Sequence, residues 1–123
     1  MTTTLNNYFR LFDASRTEKR AMDDLLSMFT PDAEIILNGI TKRGIEGFMK
    51  AFYEYNSDVK HMWDKWELQS DGSYRTNWAV CGQAVDGTVY AKKGIDIARL
   101  NEEGKIVYLE NVQEDKNAFS KYK

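Results

Sequence analysis

The stretch GIDIARLNEEGKIVYLENV, residues 94–112, decides the fold class of this chain. Two runs rich in Ile, Val, Tyr and Leu flank the pair Glu103-Gly104, which favours a tight turn. The stretch therefore predicts an antiparallel hairpin. Asp96 lies inside the first apolar run, and a buried carboxylate costs free energy unless it is paired, protonated or at work.

Glycine turns at Asp71-Gly72 and Asp86-Gly87 divide the rest of the second half into similar segments. Those segments are rich in β-branched and aromatic residues, which is typical of strands. The pattern predicts a meander of four long antiparallel strands, over about 62–70, 74–83, 88–100 and 105–113.

The first half carries apolar residues at helical spacing, which predicts three amphipathic helices. The three stripes are Leu5, Tyr8, Phe9 and Phe12; Met22, Leu25, Leu26 and Phe29; and Ile45, Phe48, Met49 and Phe52. Thr17 is placed to cap the second helix, and Pro31 is expected to end it nearby. A short strand over 33–37 should then stop at Asn38-Gly39.

Helices followed by hairpins predict an α+β domain in which the helices pack on one face of the sheet. A curved sheet arranged in this way would enclose a pocket between its concave face and the helices. Both faces of the last two strands carry apolar residues, whereas a solvated face would alternate more cleanly. We therefore expect the outer face to meet a second copy of the chain.

Composition limits the classes of function. A chain of 123 residues with 42% apolar side chains fits one domain over 1–123, with a loose tail from about 114. A net charge of −2 argues against nucleic acid or an anionic membrane as partner. No apolar run exceeds four residues, no secretory signal is visible, and Cys81 is the only cysteine, so a cytoplasmic location is expected.

The chain resembles the nuclear transport factor 2-like superfamily, and within it the SnoaL-like cyclases and the ketosteroid isomerases. The resemblance rests on LLSMFTPDAEIILNG (25–39), RGIEGFMKAF (43–52) and the final hairpin, and it covers roughly residues 5–113. It implies a cone of three helices around a strongly bent, mostly antiparallel sheet, with a pocket inside and commonly a dimer across the outer face.

The resemblance also implies roles for two residues. In ketosteroid isomerases an aspartate at the position of Asp96 stays protonated and donates a hydrogen bond to a developing oxyanion. Tyr8 matches the second donor, a tyrosine on the first helix. The position of the isomerases' catalytic base is Leu37 here, followed by Asn38, so isomerase chemistry does not transfer directly.

Each candidate residue has a functional and a structural interpretation. Asp96 is either an acid lining the pocket or a carboxylate paired with a lysine or a tyrosine hydroxyl. His61, the only histidine, is either a proton carrier or a satisfied or exposed histidine where the first long strand begins. Tyr8 is either a hydrogen-bond donor in the pocket or a core tyrosine.

Strand parity predicts which other side chains face the pocket. Counting back from Asp96 through a turn at Asp86-Gly87 places odd-numbered residues of the preceding strand inside, and Trp78 outside as a dimer contact. The tryptophans could wall the pocket or fill the core or an interface. The residues expected to line the pocket are Leu37, Phe52, Trp63, Asn77, Cys81, Leu109 and Asn111.

Taken together, these patterns predict a pocket for a small, partly apolar molecule and a homodimer. An enzyme of this kind would isomerise, cyclise or dehydrate a carbonyl compound, with Asp96 as acid, His61 as proton carrier and Tyr8 assisting. One His and one Cys without repeated spacing predict no metal site, and no cofactor is expected. A non-catalytic binding or dimerisation module on the same scaffold is the alternative.

Overall fold

Three helices precede or interrupt the sheet in the computed structural model, which describes residues 3–115 and Phe119. They are α1 (Thr3–Ala14), α2 (Lys19–Ser27) and α3 (Glu46–Tyr55). The stripe of α1 is almost completely buried, since its four apolar side chains are at most 5% exposed. The helical spacing predicted for α1 is confirmed, and this stripe forms the centre of the core together with Leu25 and Met49. Phe29, predicted in the stripe of the second helix, is instead the first residue of β1.

The strands of the described residues form one sheet. They are β1 (Phe29–Leu37), β2 (Ile40–Arg43), β3 (Asn56–Trp63), β4 (Glu67–Leu68), β5 (Tyr74–Ala84), β6 (Val89–Leu100) and β7 (Ile106–Gln113). Their order is β2-β1-β7-β6-β5-β3, with β4 paired to β5. All pairs are antiparallel except β1 with β7, so the predicted α+β class with a mostly antiparallel sheet is confirmed.

The start of the sheet differs from the prediction. The strand expected over 62–70 is not continuous. β3 already begins at Asn56 and ends at Trp63, and the two-residue β4 follows it. Asn38-Gly39 does not simply end a strand: both residues have positive φ and join β1 to β2 as a two-residue hairpin. Pro31 lies inside β1, where the register with β7 shifts.

The predicted cap of the second helix is wrong. Glu18 occupies the N-cap position of α2, with extended backbone and no side-chain hydrogen bond to the helix. Thr17 lies one residue earlier. Its main-chain N–H donates to Ala14 O, so Thr17 belongs to the turn that follows α1. The loose tail expected from 114 falls mostly on residues 116–118 and 120–123, which lie outside the described residues.

The hairpin between β5 and β6 has three turn residues, and the prediction assumed two. Ala84 N–H donates to Thr88 O at 2.8 Å, so Val85, Asp86 and Gly87 form the turn, with Gly87 at φ 94°. This one residue reverses the parity of β5, because side chains alternate with period two. Thr76, not Asn77, is therefore directly opposite Asp96.

Two glycines on the inner face make room for rings from a neighbouring strand. A Cβ added at Gly94 would lie 2.8 Å from Trp78 Cζ2 and 2.3 Å from Val112 O. A Cβ added at Gly82 would lie 2.4 Å from the Tyr90 ring. Each glycine thus allows an aromatic side chain to lie across the adjacent strand and to form part of the cavity wall.

Candidate functional site

A cavity of about 510 Å³ lies between the helices and the inner face of the sheet. Its walls are mainly apolar, and this size and lining are typical of pockets for small molecules. The aromatic and aliphatic side chains of the wall are Phe9, Phe12, Ile35, Leu37, Ile45, Phe48, Phe52, Trp78, Val80, Leu109 and Phe119. A few polar groups, among them Tyr8, His61 and Asp96, converge on this apolar space.

Asp96 lies in the wall of the cavity and is 1% exposed. Trp78 Nε1 donates to its Oδ1 at 2.9 Å, and Asn111 Nδ2 donates to the same oxygen at 3.0 Å. Burial raises the pKa of Asp96 to about 7, although these two hydrogen bonds oppose the shift. Among the described residues these partners are an indole and an amide, so the expected alternative of a pairing with lysine or a tyrosine hydroxyl is not what the structure shows.

His61 lies within β3 and its ring reaches the same cavity. Asp13 of α1 accepts two hydrogen bonds from it: the main-chain N–H donates to Oδ2 at 2.7 Å, and Nδ1 donates to Oδ1 at 2.6 Å. A carboxylate can only accept, so Nδ1 carries a hydrogen and the neutral ring keeps a basic lone pair on Nε2. The side chain of His61 is 11% exposed and packs against Phe9 and Phe12.

Tyr8 is 5% exposed and also lines the cavity. Burial raises the pKa of its hydroxyl well above the usual value, and the nearby carboxyls of Asp96 and Asp13 raise it further. The hydroxyl therefore stays protonated and can donate a hydrogen bond. Tyr8 also packs edge-on against Phe9 at 4.9 Å between ring centroids, so its ring belongs to the core as well as to the cavity.

Of the seven other residues expected to line the pocket, four do so: Leu37, Phe52, Leu109 and Asn111. Asn77 and Cys81 lie exposed on the outer face because the parity of β5 is reversed. Asn77 Nδ2 instead donates to Asp64 Oδ2 at 2.8 Å. Trp63 faces inward but packs against Phe9, at 5.2 Å between ring centroids, and is not part of the cavity wall.

Two important residues were missed or misplaced by the sequence analysis. Trp78, expected as an outward dimer contact, is 5% exposed and bonds to Asp96. Asp13 was not singled out, yet it follows Phe9 at i+4 and so continues the buried stripe of α1 with a carboxylate. A charged residue on an apolar helix face was the available signal for a buried partner.

The cavity wall also contains a second polar group of residues. Tyr90 Oη donates to Asn56 Oδ1 at 2.7 Å, and Asn56 Nδ2 donates to Phe52 O at 2.9 Å. Lys92 pairs with Asp115 and lies 5.8 Å from the centroid of the Tyr90 ring. Asn56 is buried, whereas Tyr90, Lys92 and Asp115 are partly or fully exposed, and together they give the cavity a polar region in addition to its acid.

Comparison with solved structures identifies the family. A structure described as an NTF2-like protein from Exiguobacterium sp. 255-15 is 48% identical, with a TM-score of 0.87. The match covers 92% of this chain and 99% of that one. This chain belongs to the nuclear transport factor 2-like family. No protein-family model and no curated protein sequence matches it.

More distant members of the same fold have described ligands or activities. The Δ5-3-ketosteroid isomerase from Mycobacterium sp. is 15% identical, with a TM-score of 0.69 and 89% of each chain covered. TerC, co-crystallised with polyporic acid, is 18% identical, with a TM-score of 0.72, covering 96% of this chain and 95% of that one. At these identities the likeness concerns the fold.

The described part of this nuclear transport factor 2-like chain lacks two features that would suggest other functions. Within residues 3–115 and 119, no helix is long and apolar enough to cross a membrane. The same residues contain no cluster of three or more His, Cys, Asp and Glu side chains that could hold a metal ion.

Proposed function

We propose that this protein binds a small, partly apolar carbonyl compound in its cavity and catalyses an acid–base reaction on it. Isomerisation, cyclisation and dehydration are the reactions that fit, because each moves a proton next to a carbonyl group. His61 carries the proton, Asp96 acts as the acid or hydrogen-bond donor, and Tyr8 assists.

The pairing of Asp13 with His61 is the observation that supports catalysis most strongly. A carboxylate bonded to Nδ1 holds the imidazole in one tautomer and stabilises the cation that forms when Nε2 takes up a proton. Among the described residues none bonds to Nε2, and the ring lines the cavity. Nε2 is therefore available to remove a proton from a bound ligand and to return it at another position.

Asp96 and Tyr8 supply the complementary chemistry. When a proton leaves the carbon beside a carbonyl, its electron pair moves onto the carbonyl oxygen, which becomes negatively charged. Protonated Asp96 and the Tyr8 hydroxyl are donors in an apolar, water-poor site, where hydrogen bonds to a developing charge are strongest. The described ligand of one structural neighbour, polyporic acid for TerC, supports a partly apolar ligand class.

The outer face of the sheet supports the proposal of a homodimer. Met62, Val89 and Val112 are 76%, 67% and 38% exposed on strands β3, β6 and β7. Such apolar side chains on the face opposite the cavity are typical of an interface. A dimer formed there would leave the cavity untouched, because the cavity lies on the helical side of the sheet.

The proposed activity can be tested without knowing the substrate. The protein is incubated in D₂O with a panel of cyclic ketones, enones and β-hydroxyketones, and proton NMR follows deuterium uptake and loss of water. We expect the native protein to exceed the buffer rate for at least one compound, and His61→Gln to lower that rate by about 10²–10⁴-fold. Asp23→Asn, an exposed carboxylate on α2, is the matched control.

A non-catalytic binding module is the second candidate, and Leu37 favours it. The resemblance to ketosteroid isomerases places their catalytic base at this position, yet leucine cannot accept a proton. A binding module would be stabilised against heat by members of the same panel, without deuterium uptake above the buffer rate. Equal thermal stabilisation in the native protein and His61→Gln, with no exchange in either, would decide for this candidate.

A further inference from the structure

We propose that Trp78 is a positioning residue that fixes which oxygen of Asp96 carries the acidic hydrogen. Its indole N–H and the Asn111 amide both bond to Oδ1, which leaves Oδ2 as the oxygen that can present a hydrogen to a ligand. The use that a ligand makes of this hydrogen rests on the proposed function, whereas the positioning itself is a property of the fold.

Trp78 and Asn111 both present hydrogen-bond donors to Asp96 Oδ1. An indole N–H can donate but cannot accept, so Oδ1 is an acceptor at 2.9 Å whichever protonation state Asp96 adopts. The Asn111 amide is oriented by a third residue, since Gln113 Nε2 donates to Asn111 Oδ1 at 3.1 Å. Asn111 therefore turns its Nδ2 toward Asp96, and it adds a second donor to the same Oδ1 at 3.0 Å.

Oδ2 is left for the hydrogen. In the part of the chain that the structure describes, the hydrogen bonds to Asp96 both end on Oδ1. A neutral carboxyl has one hydrogen, and placing it on Oδ1 would compete with two donors. The hydrogen therefore resides on Oδ2, and Asp96 donates in one direction.

Gly94 explains why the indole can occupy this position. Trp78 and Gly94 are direct partners across β5 and β6, and the indole lies over the glycine. Any side chain at position 94 would collide with Trp78 Cζ2 and with Val112 O. Gly94 is needed because it has no side chain, which leaves room for the Trp78 indole to pack on its main chain.

Trp78 also contacts the other candidate catalytic group. Its ring meets that of His61 edge-on, with 6.1 Å between centroids, so the indole touches both His61 and Asp96. A fixed donor at Oδ2 selects ligands that bring an acceptor oxygen, such as a carbonyl, enolate or phenolate, to that point. A ligand group that can only donate would find no partner there and would lose affinity.

The inference is tested by NMR titration of the protein without ligand. Carbon-13 shifts of the aspartate carboxyls locate the pKa of Asp96, and proton–nitrogen spectra follow the three indoles of Trp63, Trp66 and Trp78. We expect the Trp78 indole signal to move with the same midpoint as the Asp96 carboxyl. The other titratable side chains lining the cavity, whose own transitions must be assigned, are Tyr8, His61, Asp86, Tyr90, Lys92 and Asp115.

Two matched variants remove one indole N–H each. Trp78→Phe should raise the proton affinity of Asp96 about tenfold, and so raise its pKa, because a donor to the charged form is lost. Trp66→Phe is the control, since Trp66 is also 5% exposed but its Nε1 finds no hydrogen-bond acceptor among the described residues. It should leave the pKa of Asp96 unchanged.

Several outcomes would overturn the proposal. One is a Trp78 indole signal that does not follow Asp96; another is an equal shift of the Asp96 pKa in both variants. If Trp78→Phe fails to fold, the indole signal of the native protein still decides. None of these readouts requires turnover, so a positive titration with no activity on the carbonyl panel would reject the proposed catalysis and keep the positioning role.

Discussion

Asp13 and His61, 48 residues apart in the chain, are joined by two hydrogen bonds to one carboxylate. The main-chain N–H of His61 lies 2.7 Å from Oδ2, and its ring Nδ1 lies 2.6 Å from Oδ1. The same contact therefore attaches α1 to β3 and fixes the orientation of the imidazole. The Asp13–His61 pair thus has a structural role and a chemical role.

Asp13→Asn should separate the two roles. An amide can accept only on its oxygen, so one of the two N–H groups of His61 would face an NH₂ group. We expect a loss of about 1–3 kcal/mol in the free energy of unfolding, measured by urea titration. Nitrogen-15 NMR should show the imidazole in mixed tautomers, and any exchange activity should fall by about 10²-fold. An unchanged single tautomer would contradict the role given to Asp13.

Asp96→Asn should change how stability depends on pH. The folded pKa of about 7 exceeds the ordinary 3.8, so between these values the folded state holds a proton that the unfolded state has released. The pH-dependent contribution of Asp96 to the free energy of unfolding is therefore fully present below pH 3.8. About 4 kcal/mol of this contribution is lost as the pH rises to 7. Asparagine does not titrate, so Asp96→Asn does not lose stability in this way as the pH rises.

The measurement is the difference in unfolding free energy between Asp96→Asn and the native protein across pH 4–8. We expect the difference to move in favour of the variant as pH rises, with the variant equally or more stable at pH 8. Asparagine can keep both hydrogen bonds from Trp78 and Asn111 on its oxygen, which makes it a close replacement. A variant that is several kcal/mol less stable at neutral pH would show that Asp96 is a charged structural partner.

The protein should not isomerise a 5-ene-3-ketosteroid. Leu37, the last residue of β1, is 3% exposed and lines the cavity, and the resemblance to the ketosteroid isomerases implies that their base occupies this position. The side chain of the next residue, Asn38, is engaged with Gln113 N and Asp115 O. General-base assistance is worth about 10²–10⁴-fold, and the donors Asp96 and Tyr8 do not supply it. The proposed proton carrier, His61, lies on β3 and not at the end of β1, so we expect it not to act on this substrate.

Absorbance of the conjugated enone gives the rate for the native protein and for His61→Ala. We expect background rates in both. A fast native rate that disappears in His61→Ala would instead mean that the imidazole has replaced the missing base for this substrate.

The chain should be a dimer in solution, and the outer face of the sheet should carry the interface. Light scattering at micromolar concentration is expected to give twice the mass of one 14.3 kDa chain. Replacing both Met62 and Val112 by lysine should yield monomers, because two desolvated ammonium groups oppose association. Val85→Lys, in the β5–β6 turn and also exposed, is the control that should remain dimeric.

The sequence alone was enough for the class of fold. Helical spacing on α1 identified the buried side chains, and turn residues separated the later strands, because both signals are local. The final hairpin placed Asp96, Leu109 and Asn111 on one face, as the register of β6 with β7 confirms. The β6–β7 turn also has three residues, since Asn101 N–H donates to Lys105 O at 2.8 Å, but the register shift between Arg99 and Leu100 restores the predicted parity for these residues.

Tertiary structure decided the composition of the site. One extra residue in the β5–β6 turn exchanged the faces of β5, so Trp78 moved to the cavity and Asn77 and Cys81 to the outside. Side chains alternate between the two faces of a strand, so one residue more or less in the turn decides which of them face the cavity. Sequence patterns do not resolve turn length to a single residue. The Asp13–His61 pair could not be read from either segment alone, because α1 and β3 meet only once the helices pack on the sheet.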